Sequence, residues 1–148
     1  MSASTPLSKS KRPEFRNINA FKDLPGYRWP LASIVSGMHR ISGLILFLLM
    51  PFIIWMFDTS VSSEFSFLRF TNLFNAGIGF APGWFFKLVA LAIMWSYLHH
   101  FIAGLRHLWM DLSHDAVTKE FGRSSALVTL TLGTLLTVAL GAKLFGLY

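Results

Sequence analysis

Three long apolar stretches of the chain carry no charged side chain, and they determine the predicted structure. They cover residues 41–57, 88–105 and 124–142. A bilayer core of about 30 Å needs roughly 20 helical residues, so each stretch can span it once a few flanking residues are added. A backbone in lipid must satisfy its own hydrogen bonds, which favours helices. We therefore predict three transmembrane α-helices, near residues 32–57, 84–111 and 124–146.

The composition supports a membrane protein rather than a soluble domain. Hydrophobic residues make up 53% of the 148 residues and charged residues only 14%, whereas soluble domains average about 25% charged residues. A soluble bundle of three buried helices would need charged outer faces, which these stretches lack. The net charge of +6 does not form a sustained basic patch, so no nucleic-acid partner is expected. The chain has no cysteine, which excludes disulfides and thiolate metal sites.

The chain divides into a polar arm and a membrane domain. We predict an all-α membrane protein in which residues 1–31 form a polar N-terminal arm and residues 32–148 form the three-helix transmembrane domain. Six lysines and arginines precede the first helix, whereas the loop 58–83 carries only Arg69. The positive-inside rule then places the N-terminus and the loop 112–123 on the cytoplasmic (or matrix) side of the bilayer. Because the arm is not a convincing transit peptide, we expect a multi-pass protein of the bacterial inner membrane, with the mitochondrial inner membrane as the alternative.

Polar side chains within the predicted helices fall on one face of each helix. The spacing of i, i+3, i+4 and i+7 groups Ser36, His39, Arg40 and Gly43 in the first helix. The same spacing in the second helix groups Ser96, His100, Ala103, Gly104, His107 and Asp111. With the N-terminus inside, both faces lie at the same depth, and they predict a membrane pocket for a molecule with a polar head and an apolar tail. Arg40 can neutralise a carboxylate or donate to a carbonyl oxygen, and Ser36 can donate a second hydrogen bond.

Each of these side chains also has a simpler interpretation. Arg40 can extend to the lipid headgroups, as Arg106 and His107 near the inner surface are expected to do. His39 can be an ordinary residue of the membrane interface, and Ser36 can bond to the carbonyl groups of its own helix. The sequence alone does not choose between these interpretations and the pocket.

His100 is the strongest candidate for a cofactor ligand. It lies inside an uncharged stretch with Gly104 one turn later on the same face, and neutral imidazole is a good ligand of haem iron. Periodicity alone does not choose it over His99, which points about 100° away, and a core histidine bonded to a neighbouring helix is the alternative. His107 cannot be the second axial ligand, because it lies on the same face about 10 Å further along. The second ligand would be His39 or a histidine of a partner chain.

Two motifs resemble those of a known family. Residues 36–43, Ser-Gly-Met-His-Arg-Ile-Ser-Gly, resemble the S-x-x-H-R-x-S-G signature of the cytochrome b556 subunit of succinate dehydrogenase, the larger of its two membrane anchors. Residues 100–111 resemble the second signature of that family, H-x-x-x-G-x-R-H-x-x-x-D. Arg12-Pro13 also resembles the N-terminal region of the family. The resemblance covers about residues 12–148 and implies one part of a heteromeric helix bundle.

The resemblance implies a role and assigns residues to it. The chain would be a membrane-anchor subunit of succinate dehydrogenase (complex II), assembled with a smaller anchor subunit, an iron–sulfur subunit and a flavoprotein subunit. Succinate would be oxidised at the flavin, so this chain would hold no catalytic residue for that step and would pass electrons from the iron–sulfur subunit to ubiquinone. Ser36 and Arg40 are expected to bind the quinone. His100 is expected to be an axial ligand of the iron of a haem b shared with the smaller anchor, and His39 to contact a haem propionate.

Three other functions are compatible with parts of the sequence. The anchor of a quinol:fumarate reductase, which runs the reaction in the opposite direction, would share these features. A small transporter component would explain ionisable residues in the helices, but the uncharged stretches hold no acid and the chain has no repeated halves. A pure scaffold would use its polar residues only to hold helices together. His99, His107 and Asp111 are left without an assigned role.

Overall fold

The observed helices confirm the predicted fold class. The computed structural model describes residues 17–113 and 116–148, and these ranges contain six α-helices and no β-strand. The helices are α1 (Ala20–Asp23), α2 (Leu31–Leu48), α3 (Met50–Val61), α4 (Glu64–Asn75), α5 (Gly83–Leu112) and α6 (Lys119–Leu144). By length and hydropathy α2, α5 and α6 can each cross a membrane, as predicted. The first half of the predicted arm 1–31, with its Arg12-Pro13 pair, lies outside the described residues.

The first predicted helix, over 32–57, is divided into two. A single residue, Leu49, separates α2 from α3 and has φ −89° and ψ 3°. Pro51 lies in the first turn of α3, where its missing N–H costs no hydrogen bond. In a continuous helix its ring would clash with the carbonyl group of Phe47. The regular helix is therefore interrupted just before Pro51, and α2 and α3 together cover the predicted span.

A helix that the sequence analysis did not predict lies in the loop 58–83. α4 begins with a capping box, in which the hydroxyl groups of Ser63 and Ser66 each accept a hydrogen bond from the N–H of the other residue, at 3.1 and 2.9 Å. α4 packs against α3 and α5, with Leu73 buried. Gly77 then turns the chain at φ 87°, where a side chain would meet the backbone of residue 81. α4 thus covers the end of the bundle where α3 ends and α5 begins.

Small residues form the contact between α2, α5 and α6. Val35, Ala103 and Ala126, one from each helix, are fully buried and pack together. Small side chains allow helix backbones to approach closely in a membrane, where burial of apolar surface does not by itself drive association. Large apolar side chains such as those of Phe47 and Leu135 point outward and are exposed, so they are free to contact lipid or other chains.

Arg106 joins α5 to α6 at the end of the bundle where α2 begins. Its Nε donates to the hydroxyl of Ser125 at 2.9 Å, and its Nη2 donates to the carbonyl oxygen of Gly122 at 3.3 Å. The residue is only 7% exposed and its side chain turns towards α6, so the expectation that Arg106 extends away from the bundle to the lipid surface is wrong. Both acceptors lie in the first two turns of α6, so these hydrogen bonds hold the guanidinium group against that helix.

Candidate functional site

The polar faces predicted on the first two long helices meet in the structure. The imidazole rings of His39 on α2 and His100 on α5 stack, with their centroids 4.1 Å apart and their planes 14° apart. The ring of His107, two turns further along α5, lies with its centroid 5.2 Å from that of His39. All three side chains are half-buried. We call this row of three rings between α2 and α5 the histidine seam.

The rings of the histidine seam fill the space where the sequence analysis placed a pocket. A Cβ atom at Gly104 would lie 3.6 Å from Nε2 of His39, which is an ordinary contact. A Cβ atom at Gly43 would lie 2.8 Å from Cε1 and 3.2 Å from Nδ1 of His100. The two helices therefore approach more closely at Gly43 than at Gly104. The imidazole of His100 occupies the space that the side chain of any larger residue at position 43 would need.

Hydrogen bonds from α2 hold the ring of His100 in one orientation. Its Nδ1 lies 3.0 Å from the carbonyl oxygen of His39 and 3.3 Å from Oγ of Ser42. A carbonyl oxygen can only accept, so Nδ1 carries the proton and donates it. Ser42 Oγ donates to the same carbonyl oxygen at 2.8 Å. His100 is thus bonded to a neighbouring helix, as the core-histidine interpretation predicts, but its Nε2 keeps the lone pair, as in metal-ligating histidines.

His99 lies inside the three-helix contact. Its side chain is 1% exposed and its ring stacks on that of Trp95, with centroids 5.5 Å apart. A Cβ atom at Gly133 of α6 would lie 3.9 Å from Nδ1 of His99. Its Nε2 and the hydroxyl of Ser96 have no hydrogen-bond partner in the part of the chain that the structure describes. A planar cofactor has no room beside a ring packed in this way, which favours His100 over His99 as a cofactor ligand.

Ser36 and Arg40 lie one turn apart on α2, before and after His39 in the chain. Ser36 is half-buried and Arg40 is exposed. Among the described residues no hydrogen bond joins Ser36 to its own helix, whereas Ser42 does bond back to the carbonyl group of His39. The exposed guanidinium group of Arg40 is able to reach either a headgroup or a ligand beside the helix. Asp111, at the far end of the polar face of α5, is also exposed.

The arrangement of the histidines limits what iron they can bind. Within residues 17–113 and 116–148, no three His, Cys, Asp or Glu side chains are grouped to hold a metal ion. His39 cannot serve as the second axial ligand to His100, because stacked rings 4.1 Å apart lie on the same side of any iron that either one binds. Axial ligands must approach a haem from opposite faces. A haem bound by His100 therefore needs its second ligand from another chain.

Comparison with known proteins agrees with the resemblance found in the motifs. The family described as succinate dehydrogenase/fumarate reductase transmembrane subunit matches residues 11–140. The succinate dehydrogenase cytochrome b556 subunit of Coxiella burnetii (strain RSA 493 / Nine Mile phase I) is 36% identical over 104 residues, which cover 70% of this chain and 78% of that protein. The subunit of the same name from Paracoccus denitrificans is 31% identical over 99 residues, covering 67% and 71% respectively. The chain therefore belongs to the succinate dehydrogenase/fumarate reductase transmembrane subunit family.

Proposed function

We propose that this chain is a membrane-anchor subunit of succinate dehydrogenase that helps to bind haem b and ubiquinone. Succinate is oxidised in the flavoprotein subunit, and electrons reach the quinone through the iron–sulfur subunit. The observation that carries the proposal is the orientation of His100, whose Nδ1 donates to the carbonyl oxygen of His39 and whose Nε2 keeps its lone pair. The bacterial relatives and the three long apolar helices support a bacterial inner membrane.

The residues around His100 fit a haem ligand. The hydrogen bonds at Nδ1 fix the tautomer and the ring angle, and such bonds raise the basicity of the ligating nitrogen. Gly43 gives the ring its place against α2. His39, stacked on His100, would donate to a propionate of the haem. Haem supplies one-electron redox chemistry when it is bound, while this chain supplies one ligand, its orientation and its surroundings, and the smaller anchor supplies the other ligand.

Ser36 and Arg40 would act on the quinone. Reduction of a quinone takes two electrons and two protons, and negative charge develops on its oxygen atoms. Donors that are already in position stabilise such charge strongly in a site of low dielectric constant. The guanidinium group of Arg40 offers several donors with a permanent charge, and the Ser36 hydroxyl one turn away offers another. Together they would position and polarise the quinone carbonyl group.

The family and its relatives support this redox role over the alternatives. The family description names both succinate dehydrogenase and fumarate reductase, and the named relatives are subunits of succinate dehydrogenase. This favours succinate oxidation over fumarate reduction, and a redox anchor over a transporter component or a pure scaffold. The many exposed large apolar side chains of α2 and α5 suit contacts with the smaller anchor and with lipid.

The quinone site is tested by replacing Arg40 with alanine in the assembled complex. Loss of one preorganised donor of this kind typically lowers the rate by about 100-fold or more. We expect the rate of ubiquinone reduction by succinate to fall by about 100-fold or more. The rate at which succinate reduces an artificial acceptor should stay at the wild-type value. Arg69→Ala is the matched control, because Arg69 is exposed on α4 at the other end of the bundle. Unchanged quinone kinetics in Arg40→Ala would exclude Arg40 from the site.

A further inference from the structure

A cleft on the side of the bundle is lined by three cationic side chains. It lies where α2 begins, α5 ends and α6 begins, and it has a volume of about 510 Å³. Arg106, Lys119 and Arg123 line it together with apolar residues that include Leu31, Met110 and Val117. This volume lies within the range of about 300–1,000 Å³ found for pockets that bind small molecules. Neither Ser36 nor Arg40 lines the cleft, so it is distinct from the proposed quinone site.

The described lining residues of the cleft carry positive charges and no negative ones. The nearest acidic residues along the chain that the structure describes, Asp111 and Glu120, are exposed and outside the lining. Lys119 and Arg123 are exposed and lie one turn apart at the start of α6. The described part of the cleft therefore presents a net positive charge beside an apolar surface.

Arg106 is the buried one of the three cationic residues that line the cleft. Within the part of the chain that the structure describes, its hydrogen bonds go to Ser125 and to the carbonyl group of Gly122, both of which are neutral acceptors. Arg106 as a residue is 7% exposed, and within residues 17–113 and 116–148 no acid pairs with it, so its buried charge is costly. An anion in the cleft would balance this charge as well as those of Lys119 and Arg123.

The start of α6 adds to the attraction for an anion. Thr118, which lines the cleft, caps this helix of 26 residues by accepting from the N–H of Phe121 at 3.2 Å. The first turn of a long helix carries partial positive charge and unpaired N–H groups, and phosphates bind readily at such ends. The cleft thus combines a helix N-terminus with a buried arginine and two exposed cations.

We propose that this cleft binds the headgroup of an anionic phospholipid from the leaflet that the N-terminus faces. The phosphate would lie among Arg106, Lys119 and Arg123, and the acyl chains would follow Leu31, Met110 and Val117 along the bundle. Basic pockets between transmembrane helices on the cytoplasmic side are suited to anionic lipids. The proposal is independent of the haem and quinone sites, because the histidine seam shares no residue with the lining of the cleft.

The test measures lipid binding to the assembled complex in a neutral detergent. Phosphatidylglycerol or phosphatidylcholine with the same acyl chains is added, and the bound lipids are counted by native mass spectrometry. Each cation near a membrane surface contributes about a five-fold factor in affinity for an anionic lipid, so the double variant Lys119→Gln/Arg123→Gln should bind one phosphatidylglycerol about 25-fold more weakly than the wild type. Binding of phosphatidylcholine should not change, and Lys22→Gln/Arg28→Gln, which removes two exposed cations from the arm, should match the wild type.

Other outcomes would overturn the proposal. Equal phosphatidylglycerol binding by the wild type and the Lys119→Gln/Arg123→Gln variant would show that the cleft holds no anionic lipid. Displacement of the bound lipid by an equal concentration of inorganic phosphate would show a site for a free anion. Loss of the iron–sulfur subunit from the double variant, without preferential binding of phosphatidylglycerol by the wild type, would show that an acidic protein surface occupies the cleft. An unchanged haem spectrum together with wild-type flavin content in the variant confirms that the complex has assembled.

Discussion

Replacing Gly43 with alanine tests the contact that places the His100 ring. The new methyl group would lie 2.8 Å from Cε1 of the imidazole, whereas ordinary contacts begin at 3.4 Å, so the ring must move by about 0.6 Å or the two helices must separate by as much. The stacked ring of His39 restricts the movement of the imidazole. A shift of this size would also disturb the hydrogen bond from Nδ1 to the carbonyl oxygen of His39.

The expected magnitude follows from this geometry. Overpacking of a tight contact costs about 1–3 kcal/mol, and changes to the groups that orient a metal ligand lower metal affinity by about 10–100-fold. Alanine favours a helix over glycine by about 1 kcal/mol, so a loss of haem could not be attributed to a weaker α2. We expect haem to dissociate from the Gly43→Ala complex at least about ten-fold more readily, measured as haem per flavin and as the reduced-minus-oxidised spectrum after purification.

Gly104→Ala is the matched control for Gly43→Ala. Its methyl group would lie 3.6 Å from Nε2 of His39, an ordinary contact, so haem content should stay at the wild-type level. Wild-type haem content in the Gly43→Ala complex would refute the argument that this contact sets the position of His100. Equal losses in both variants would point instead to a general separation of α2 from α5.

Two further changes test the surroundings of the site and of the bundle. Ser42→Ala removes the hydroxyl 3.3 Å from Nδ1 of His100 but leaves the hydrogen bond from Nδ1 to the carbonyl oxygen of His39. Haem retention on dilution in detergent should therefore fall by about ten-fold. Full retention would show that Ser42 only bonds its own helix. Ser125→Ala leaves the buried Nε of Arg106 without its acceptor, which costs about 1–3 kcal/mol and should lower the melting temperature of the assembled complex. Ser124→Ala should leave that temperature unchanged, because the exposed Ser124 bonds only to its own helix, and equal melting temperatures for both serine variants would contradict the role given to Ser125.

The pattern of charges predicted the long helices but not their interruptions. Charge is excluded from lipid over whole segments, so the uncharged stretches predicted both ends of α5 to within one residue. They placed the start of the third helix at residue 124, because Lys119 and Arg123 lie outside the uncharged stretch although they belong to α6. The break at Leu49 and the short helix α4 depend on local signals, Pro51 and the capping serines, which hydropathy does not report.

The site was predictable as a set of faces but not as a set of contacts. Helical spacing predicted that His39 lies on the polar face of the first helix and that His100 and His107 share the polar face of the second, because side chains three or four residues apart share a face. The spacing could not show that Gly43 rather than Gly104 is the tight contact, since that depends on the distance between two helices. It also could not choose between neighbouring histidines, because only the packing of α6 against α5 shows that His99 lies inside the bundle.

The central claim is that this chain provides His100 as a ligand of haem b. The most direct test is the reduced-minus-oxidised spectrum of the assembled complex carrying His100→Ala, compared with the same complex carrying His99→Ala and normalised to flavin content. We expect His100→Ala to abolish or strongly shift the haem spectrum, and His99→Ala to keep the wild-type spectrum because His99 is enclosed among α2, α5 and α6. A normal spectrum in His100→Ala together with a lost spectrum in His99→Ala would contradict the assignment.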